Sequence, residues 1–282
     1  MQKVSNNGFL FRTAKTKIYA NGVIKLSKQV IVLGMHRSGT STVSMILQKL
    51  GVHIGDDLLG ASPGNPYGHG EDMDFLKLNR EILSYSEGTW DFPPTRNRLL
   101  KNKHNFDKKI SQLISEKRKH EIWGWKEPRT CLLMPYYQSY LENPKYIIVD
   151  RDEQEVSDSL KKRNKMPIKK GKHLHNRYTQ DINEFIMTLS SNDYYYINFK
   201  DLHSNSEQII YGLINFLELS PNENEINQAK KVVKPLDVVR SKRSISKRKE
   251  ILGKLNKRIK NPVDFFIIGH KHVLKIIKYY IK

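Results

Sequence analysis

A chain of 282 residues can bury a sizeable core, as one large α/β domain or as one domain with an appendage. With 38% apolar residues, a mean hydropathy of −0.61, no run near the ~18 apolar residues of a membrane helix and no signal-peptide layout, the expectation is cytoplasmic residence. A single cysteine, Cys131, excludes a disulfide framework and a cysteine-based zinc site, while a formal charge of +20 asks for an acidic partner.

Residues 1–28 mix Lys, Asn, Thr and isolated apolar residues and read as a loose arm. One short strand is expected in it, near Gly8–Arg12 or Lys17–Ile24. Then Val30, Ile31, Val32 and Leu33 predict a buried strand, Gly34–Thr42 (GMHRSGTST) a turn of small residues, and Val43, Ile46, Leu47 and Leu50 a helix. Strand, small-residue loop and helix point backbone N–H groups and a helix N-terminus at one anion. A nucleotide triphosphatase would need a lysine after the second glycine, reaching the β- and γ-phosphates. Gly34 and Gly39 keep that spacing, but Thr40 stands in the lysine's place and the cation, Arg37, lies inside the loop.

Glycine, proline, asparagine and serine make Gly60–Gly70 a loop. Phe75, Leu78, Ile82 and Leu83 then share one helical face. Glu71, at the junction, reads either as a helix N-terminal acid favoured by the macrodipole or as a general base, with Asp56, Asp57 and His69 as competitors. Residues 84–122 hold Trp90, a turn at Phe92–Pro94 and a lysine-rich helical stretch near Phe106–Lys119. In Trp125–Arg129 (WKEPR), Pro128 biases Glu127 to extended geometry, so Lys126 and Arg129 are expected on a loop. Cys131 sits among Leu132, Leu133 and Met134 and is expected buried and inert.

Lys145–Val149 predicts a second buried strand, ended by Arg151. Asp152 and Glu155 form a capping-box pattern for a helix through Arg163, and Ser159 falls about two turns into it; Ser157 is the off-register alternative. Asn164–Gly171 reads as a basic linker, followed by a helix around Arg177–Leu189. Tyr194–Phe199 predicts a third buried strand, with Asp201 and Leu202 behind it, and a helix carrying Ile209, Ile210, Leu213, Phe216 and Leu217 ends near Pro221. Strands alternating with helices argue a parallel, doubly wound sheet. The last 43 residues hold fourteen lysines and arginines against two acids, Glu250 and Asp264. Within them Ser241–Lys260 reads as a basic helical run, and Pro262–Lys282 as a helix packed on the core or docked on a partner, with an anionic membrane surface the alternative. The H-x-H pairs His173/His175 and His270/His272 have no further ligands nearby in sequence, and no metal site is expected of them.

The loop G-x-x-R-S-G-T-S, the N-P-x-G-x-x-E ending at Glu71, the W-K-[DE]-P-R segment at 125–129 and the R-x7-S pair Arg151/Ser159 together resemble sulfotransferases that use 3′-phosphoadenosine 5′-phosphosulfate (PAPS), in their bacterial, carbohydrate-type branch. The resemblance covers about Lys28–Arg240. It implies a P-loop-like three-layer α/β fold with a central parallel sheet flanked by helices. The division expected is an arm at 1–28, a sulfotransferase domain at 29–240 and a basic helical extension at 241–282. It implies PAPS as sulfuryl donor without a metal, the 5′-phosphosulfate held by His36, Arg37, Ser38, Gly39, Thr40, Ser41 and Thr42, and the 3′-phosphate by Arg151 and Ser159. Glu71 is the implied base toward a hydroxyl acceptor, and Arg37 with Lys126 the implied stabilisers of the leaving oxygen. Lys126 or Arg129 lies by the sulfonate or acceptor on this reading; a local Glu127–Arg129 ion pair is the plainer one. The acceptor implied is a glycan, with protein tyrosine or lipid as alternatives, and no specific nucleic acid. Two departures stand out: Glu153 replaces a frequent proline, and the glycine-rich R-K-G-x-x-G nucleotide cover is absent. The rival readings are a P-loop small-molecule kinase and a non-catalytic polyanion-binding protein.

Overall fold

A computed structural model describes residues 27–62, 65 and 68–233, and the backbone of two short strands before them. Those strands, β1 (Thr16–Tyr19) and β2 (Gly22–Lys25), form an antiparallel hairpin where Lys17–Ile24 was expected as one strand. The expectations for Gly8–Arg12 and for the basic tail 241–282 lie outside the described residues.

The centre is a parallel sheet of β3 (Lys28–Leu33), β4 (Ile122–Lys126), β5 (Pro144–Asp150) and β6 (Tyr194–Asn198), in spatial order β4-β3-β5-β6. Strand pleat sends alternate residues of β3 to opposite faces. Ile31 and Leu33 join Trp123, Trp125, Tyr146 and Ile148 under α2 (Met73–Tyr85), α4 (Asp107–Lys117), α5 (Thr130–Tyr137), α6 (Glu153–Asn164) and α7 (Ile168–Ile186), with α3 (Arg96–Asn102) at their margin. Val30 and Val32 join Ile147, Val149 and Ile197 under α1 (Thr40–Lys49), α8 (Phe199–Ser204), α9 (Ser206–Leu217) and α10 (Glu223–Val232). Two hydrophobic cores, one on each face, make the expected three-layer P-loop-like α/β fold. No helix among the described residues is long and apolar enough to cross a membrane.

The order of the strands positions the site. From β3 the chain goes to β4 on one side, then to β5 on the other, so a crevice opens outside the carboxyl ends of β3 and β5. That is where ligands bind in open parallel sheets. The loop of residues 34–39 follows β3, Lys126 ends β4, and Arg151 follows β5 directly.

Several expectations need correction. Residues 122–126 are a strand, not a loop: Lys126 is its last residue and Arg129 is the N-cap of α5. A Cβ on Gly124 would meet the Val30 carbonyl oxygen at 1.9 Å, so glycine is what lets β4 lie against β3. Helix α7 starts at Ile168, inside the stretch read as a linker. Its buried face of Leu174, Tyr178, Ile182 and Phe185 carries it over the lysines at its start. Strand β6 pairs only with β5 among the described residues, and Tyr196 is 52% exposed, so it is an edge strand and not a buried one. Phe199 belongs to α8.

Candidate active site

Helix α1 begins at the crevice. Its N-cap is Gly39, with φ +97°, and no side chain caps the helix. The first N–H groups of α1 are thus offered, with the positive end of the dipole, to an anion in front of them. A Cβ on Gly39 would lie 2.6 Å from the Phe199 ring, and one on Gly34 would lie 2.5 Å from the Val149 carbonyl oxygen, so both loop glycines are required by close packing. Ser38 and Thr40 are buried in the loop, Ser38 N–H donates to the Met35 carbonyl at 3.1 Å, and Thr42 N–H donates to Gly39 at 3.0 Å.

Arg37 carries a positive φ of 77°, a conformation L residues seldom adopt. Contacts to α6 and to Arg151 hold it there. Its Nε donates to Ser159 Oγ on α6 at 2.9 Å, and its carbonyl accepts from Arg151 Nη1 at 3.0 Å. Arg151 also pairs with Glu155 at 2.9 Å and lies over the Phe199 ring, its Cζ 3.8 Å from the ring centroid. Asp152 caps α6 by accepting from Glu155 N–H at 3.0 Å, while the Glu155 side chain turns to Arg151; the expected capping box is half formed. The two candidate serines differ in packing. Ser157 is fully buried, with a Cβ on Gly171 of α7 falling 3.1 Å from it, whereas Ser159 faces the loop. Arg37, Arg151 and Ser159 therefore meet in one cluster, in which Ser159 bonds to Arg37.

On the other side of the loop stands Glu71, one residue before Asp72, which caps α2. Glu71 Oε1 pairs with Lys126 Nζ at 2.9 Å, and both side chains are buried. Lys126 Nζ also lies 3.4 Å from Ser41 Oγ, which in turn is 3.3 Å from Asn65 Nδ2. Burial lowers the Lys126 pKa, with Glu71 opposing the change. Of the competing bases, His69 is near, with Nδ1 3.9 Å from Glu71 Oε1 and Nε2 2.9 Å from Ser62 Oγ; burial pulls its pKa down against Glu71. Asp56 instead pairs with His53 and Lys119 away from the loop, and Asp57 is exposed.

His36 is buried against Trp90, ring centroids 4.5 Å apart. Burial, then the charges of Arg129, Arg163, Lys126 and Arg37, hold it well below the usual histidine range, so the imidazole is neutral at pH 7. The Glu127–Arg129 ion pair read in the sequence is present. Glu127 also accepts from Asn79 Nδ2 at 2.6 Å and from Arg129 N–H at 3.1 Å, and Asn79 accepts from Tyr137 Oη at 2.6 Å. Burial pushes the Glu127 carboxyl up, with Arg129 opposing. This network, Phe199 under Arg151 and Asn65 on Ser41 were not named as functional from sequence. Asn65 lay inside a quoted motif; Phe199 carried no signal beyond its apolarity.

No family model matches the chain, and no curated protein matches it. Solved structures to which it is similar include the sulfotransferase domain from the curacin biosynthetic pathway, 16% identical over 72% of this chain and 78% of that one, TM-score 0.48. The sulfotransferase domain from the Synechococcus PCC 7002 olefin synthase is 14% identical over 71% and 76%, TM-score 0.49. A sulfotransferase from Mycobacterium tuberculosis H37Rv is 10% identical over 77% and 76%, TM-score 0.46. Identities of this size leave the chemistry to be argued from the residues themselves.

Proposed function

We propose that the protein is a PAPS-dependent sulfotransferase acting on a hydroxyl acceptor, most simply a carbohydrate. One observation carries the reading: an uncapped helix N-terminus stands between two cationic clusters, Arg37–Ser159–Arg151 and Lys126–Glu71–Ser41, at the carboxyl ends of β3, β4 and β5. The residues suit a nucleotide with two separate phosphate groups. The N–H groups of α1 and the hydroxyls of Ser38, Thr40, Ser41 and Thr42 would hold the 5′-phosphosulfate. Arg151 and Ser159 would hold the 3′-phosphate, with the planar guanidinium matching its oxygens.

The bound donor supplies an activated sulfuryl group. Glu71 takes the proton of the acceptor hydroxyl, at a carboxylate that Lys126 fixes in place. The bond from sulfur to the acceptor oxygen forms as that to the bridging phosphate oxygen breaks, and its electron pair stays on the phosphate. Arg37 and the amides of α1 balance that charge, and Lys126, between Glu71 and Ser41, balances it on the sulfonate side. Trp90 packs on His36 of the loop, which supports the 84–122 segment as a wall of the acceptor side.

Titration calorimetry with adenosine 3′,5′-bisphosphate against 5′-AMP tests the assignment. Tight binding of the bisphosphate, weak binding of AMP and loss of the difference in Arg151→Ala are expected. Equal or absent binding sinks the reading, and magnesium-dependent ATP turnover would return it to a small-molecule kinase. A radiolabelled PAPS assay over glycans, tyrosine peptides and glycolipids then identifies the acceptor.

A further inference from the structure

At the amino end of β4, away from the crevice, two histidines and an aspartate from three separate segments come together. His53, just beyond α1, lies alongside β4 as an extra strand residue: its N–H donates to the Ile122 carbonyl at 3.2 Å, and its carbonyl accepts from Gly124 N–H at 2.8 Å. His120 lies in the turn leaving α4, two residues before the same strand. The rings stack with centroids 3.6 Å apart and planes 15° from parallel. Asp56, three residues after His53, places Oδ1 3.3 Å from His53 Nε2. The three ligand atoms lie within 4.8 Å of one another.

The nitrogen inventory of the pair is incomplete. Nε2 of His120 is buried without a hydrogen-bond partner, and Nε2 of His53, also buried, makes no well-aligned hydrogen bond and meets only Asp56 Oδ1, at 3.3 Å. Buried polar atoms in native proteins are nearly always satisfied, so an unpartnered His120 nitrogen and a His53 nitrogen with only one long contact, gathered beside a carboxylate, indicate a missing partner. A hydrogen-bond donor could serve one lone pair; a cation serves both and the carboxylate together. We propose that His53, His120 and Asp56 bind a divalent transition metal of the zinc class.

The donor set decides the class. Two imidazoles and one carboxylate suit zinc, cobalt, nickel or copper, whereas calcium and magnesium take oxygen donors. The neighbouring charges allow it. Lys117 is occupied by Asp72 at 2.9 Å and Asp74 at 3.0 Å, and Lys119 lies 3.5 Å from Asp56 Oδ2, leaving Oδ1 to the ion and orienting the carboxylate from behind. A metal lies in the plane of each imidazole it binds, at about 2.0–2.1 Å from nitrogen, so the stacked rings must splay on binding. Asp56, more than half exposed, is free to close the remaining distance. Such an ion would clip the end of α4 to the sheet edge; water completes its coordination.

The experiment uses the untagged full chain, dialysed against chelator and titrated with zinc chloride by calorimetry and with cobalt chloride by visible absorption. Expected are one zinc per chain at this site, tetrahedral cobalt bands, a raised thermal midpoint reversed by chelator, and no effect of magnesium. His120→Ala and, separately, Asp56→Asn should each weaken zinc binding at least about tenfold, with an unchanged far-UV spectrum in chelator. Asp56→Asn, at an exposed position, decides the matter where His120→Ala folds poorly. No uptake, or uptake equal in the parent and Asp56→Asn, overturns the proposal and assigns any bound zinc to other histidines. None of these readouts involves sulfuryl transfer.

Discussion

The Lys126–Glu71 pair gives the most quantitative expectation. At a separation of 2.9 Å, and with the effective dielectric of about 20 that suits protein charge pairs, the direct attraction is about 6 kcal/mol before desolvation is subtracted. Lys126 is 1% exposed and Glu71 7% by side chain, so neither can turn to water when its partner is removed. Removing one partner of such a pair costs about 3–5 kcal/mol, because the other charge is left buried and alone. At about 2–4 °C per kcal/mol for a chain of this size, Lys126→Met should lower the thermal midpoint by about 6–20 °C. Glu71→Gln should fall in the same range, less what the amide recovers by hydrogen bonding to Lys126. The double variant Lys126→Met/Glu71→Gln should recover much of the loss, since no buried charge is stranded. Urea melts of parent, singles and double form the cycle, and PAPS turnover is measured on the same four proteins. Both singles and the double should be inactive, which separates chemistry from stability. Additive stability losses, with a coupling below about 0.5 kcal/mol, would refute the pairing; an active Glu71→Gln would refute its role as base.

Gly39→Ala forces a left-handed residue to carry a Cβ against Phe199, costing about 1–3 kcal/mol, and it should weaken nucleotide binding through the displaced Phe199–Arg151 stack; calorimetry and melts read both. His36 has a folded-state pKa well below its ordinary 6.5, so below that pH the unfolded chain binds the extra proton and stability falls as pH drops. Urea melts of His36→Asn from about pH 7.5 to 5.5 should show a shallower acid slope than those of the parent. Burial pushes the Cys131 thiol pKa up, and Sγ accepts from Gly34 N–H at 3.2 Å, so iodoacetamide should label it only after unfolding.

Where the chemistry is local in sequence, it could be read there. The loop, the apolar face of α1 and the face of α2 depend on residues a few positions apart, and Val43, Ile46, Leu47, Phe75, Leu78 and Ile82 are buried as expected. Ser159 was picked out by the R-x7-S spacing of the family it resembles, with Ser157 as the alternative, and in the fold Ser159 is the one that meets the loop, through Arg37. Strand β4 was missed because Pro128 drew the whole segment into a loop, and the reason for Gly124, the approach of the Val30 backbone, belongs to the neighbouring strand. The start of α7 was hidden by lysines whose charge does not oppose a helix with one apolar face. Three contacts could not be read at all. Glu71 meets Lys126 across 55 residues, Arg37 meets Ser159 across 122, and Arg151 meets the Arg37 carbonyl across 114. In each, the partners were individually visible and their union depends on strand order.

The left-handed backbone at Arg37 sets selection for stability against selection for turnover. A glycine at this position would sit at φ +77° without penalty and could relieve about 1 kcal/mol or more, while deleting the guanidinium that reaches Ser159. A library screened only for thermal tolerance should therefore drift toward Arg37→Gly and lose the proposed sulfuryl transfer as it gains heat resistance.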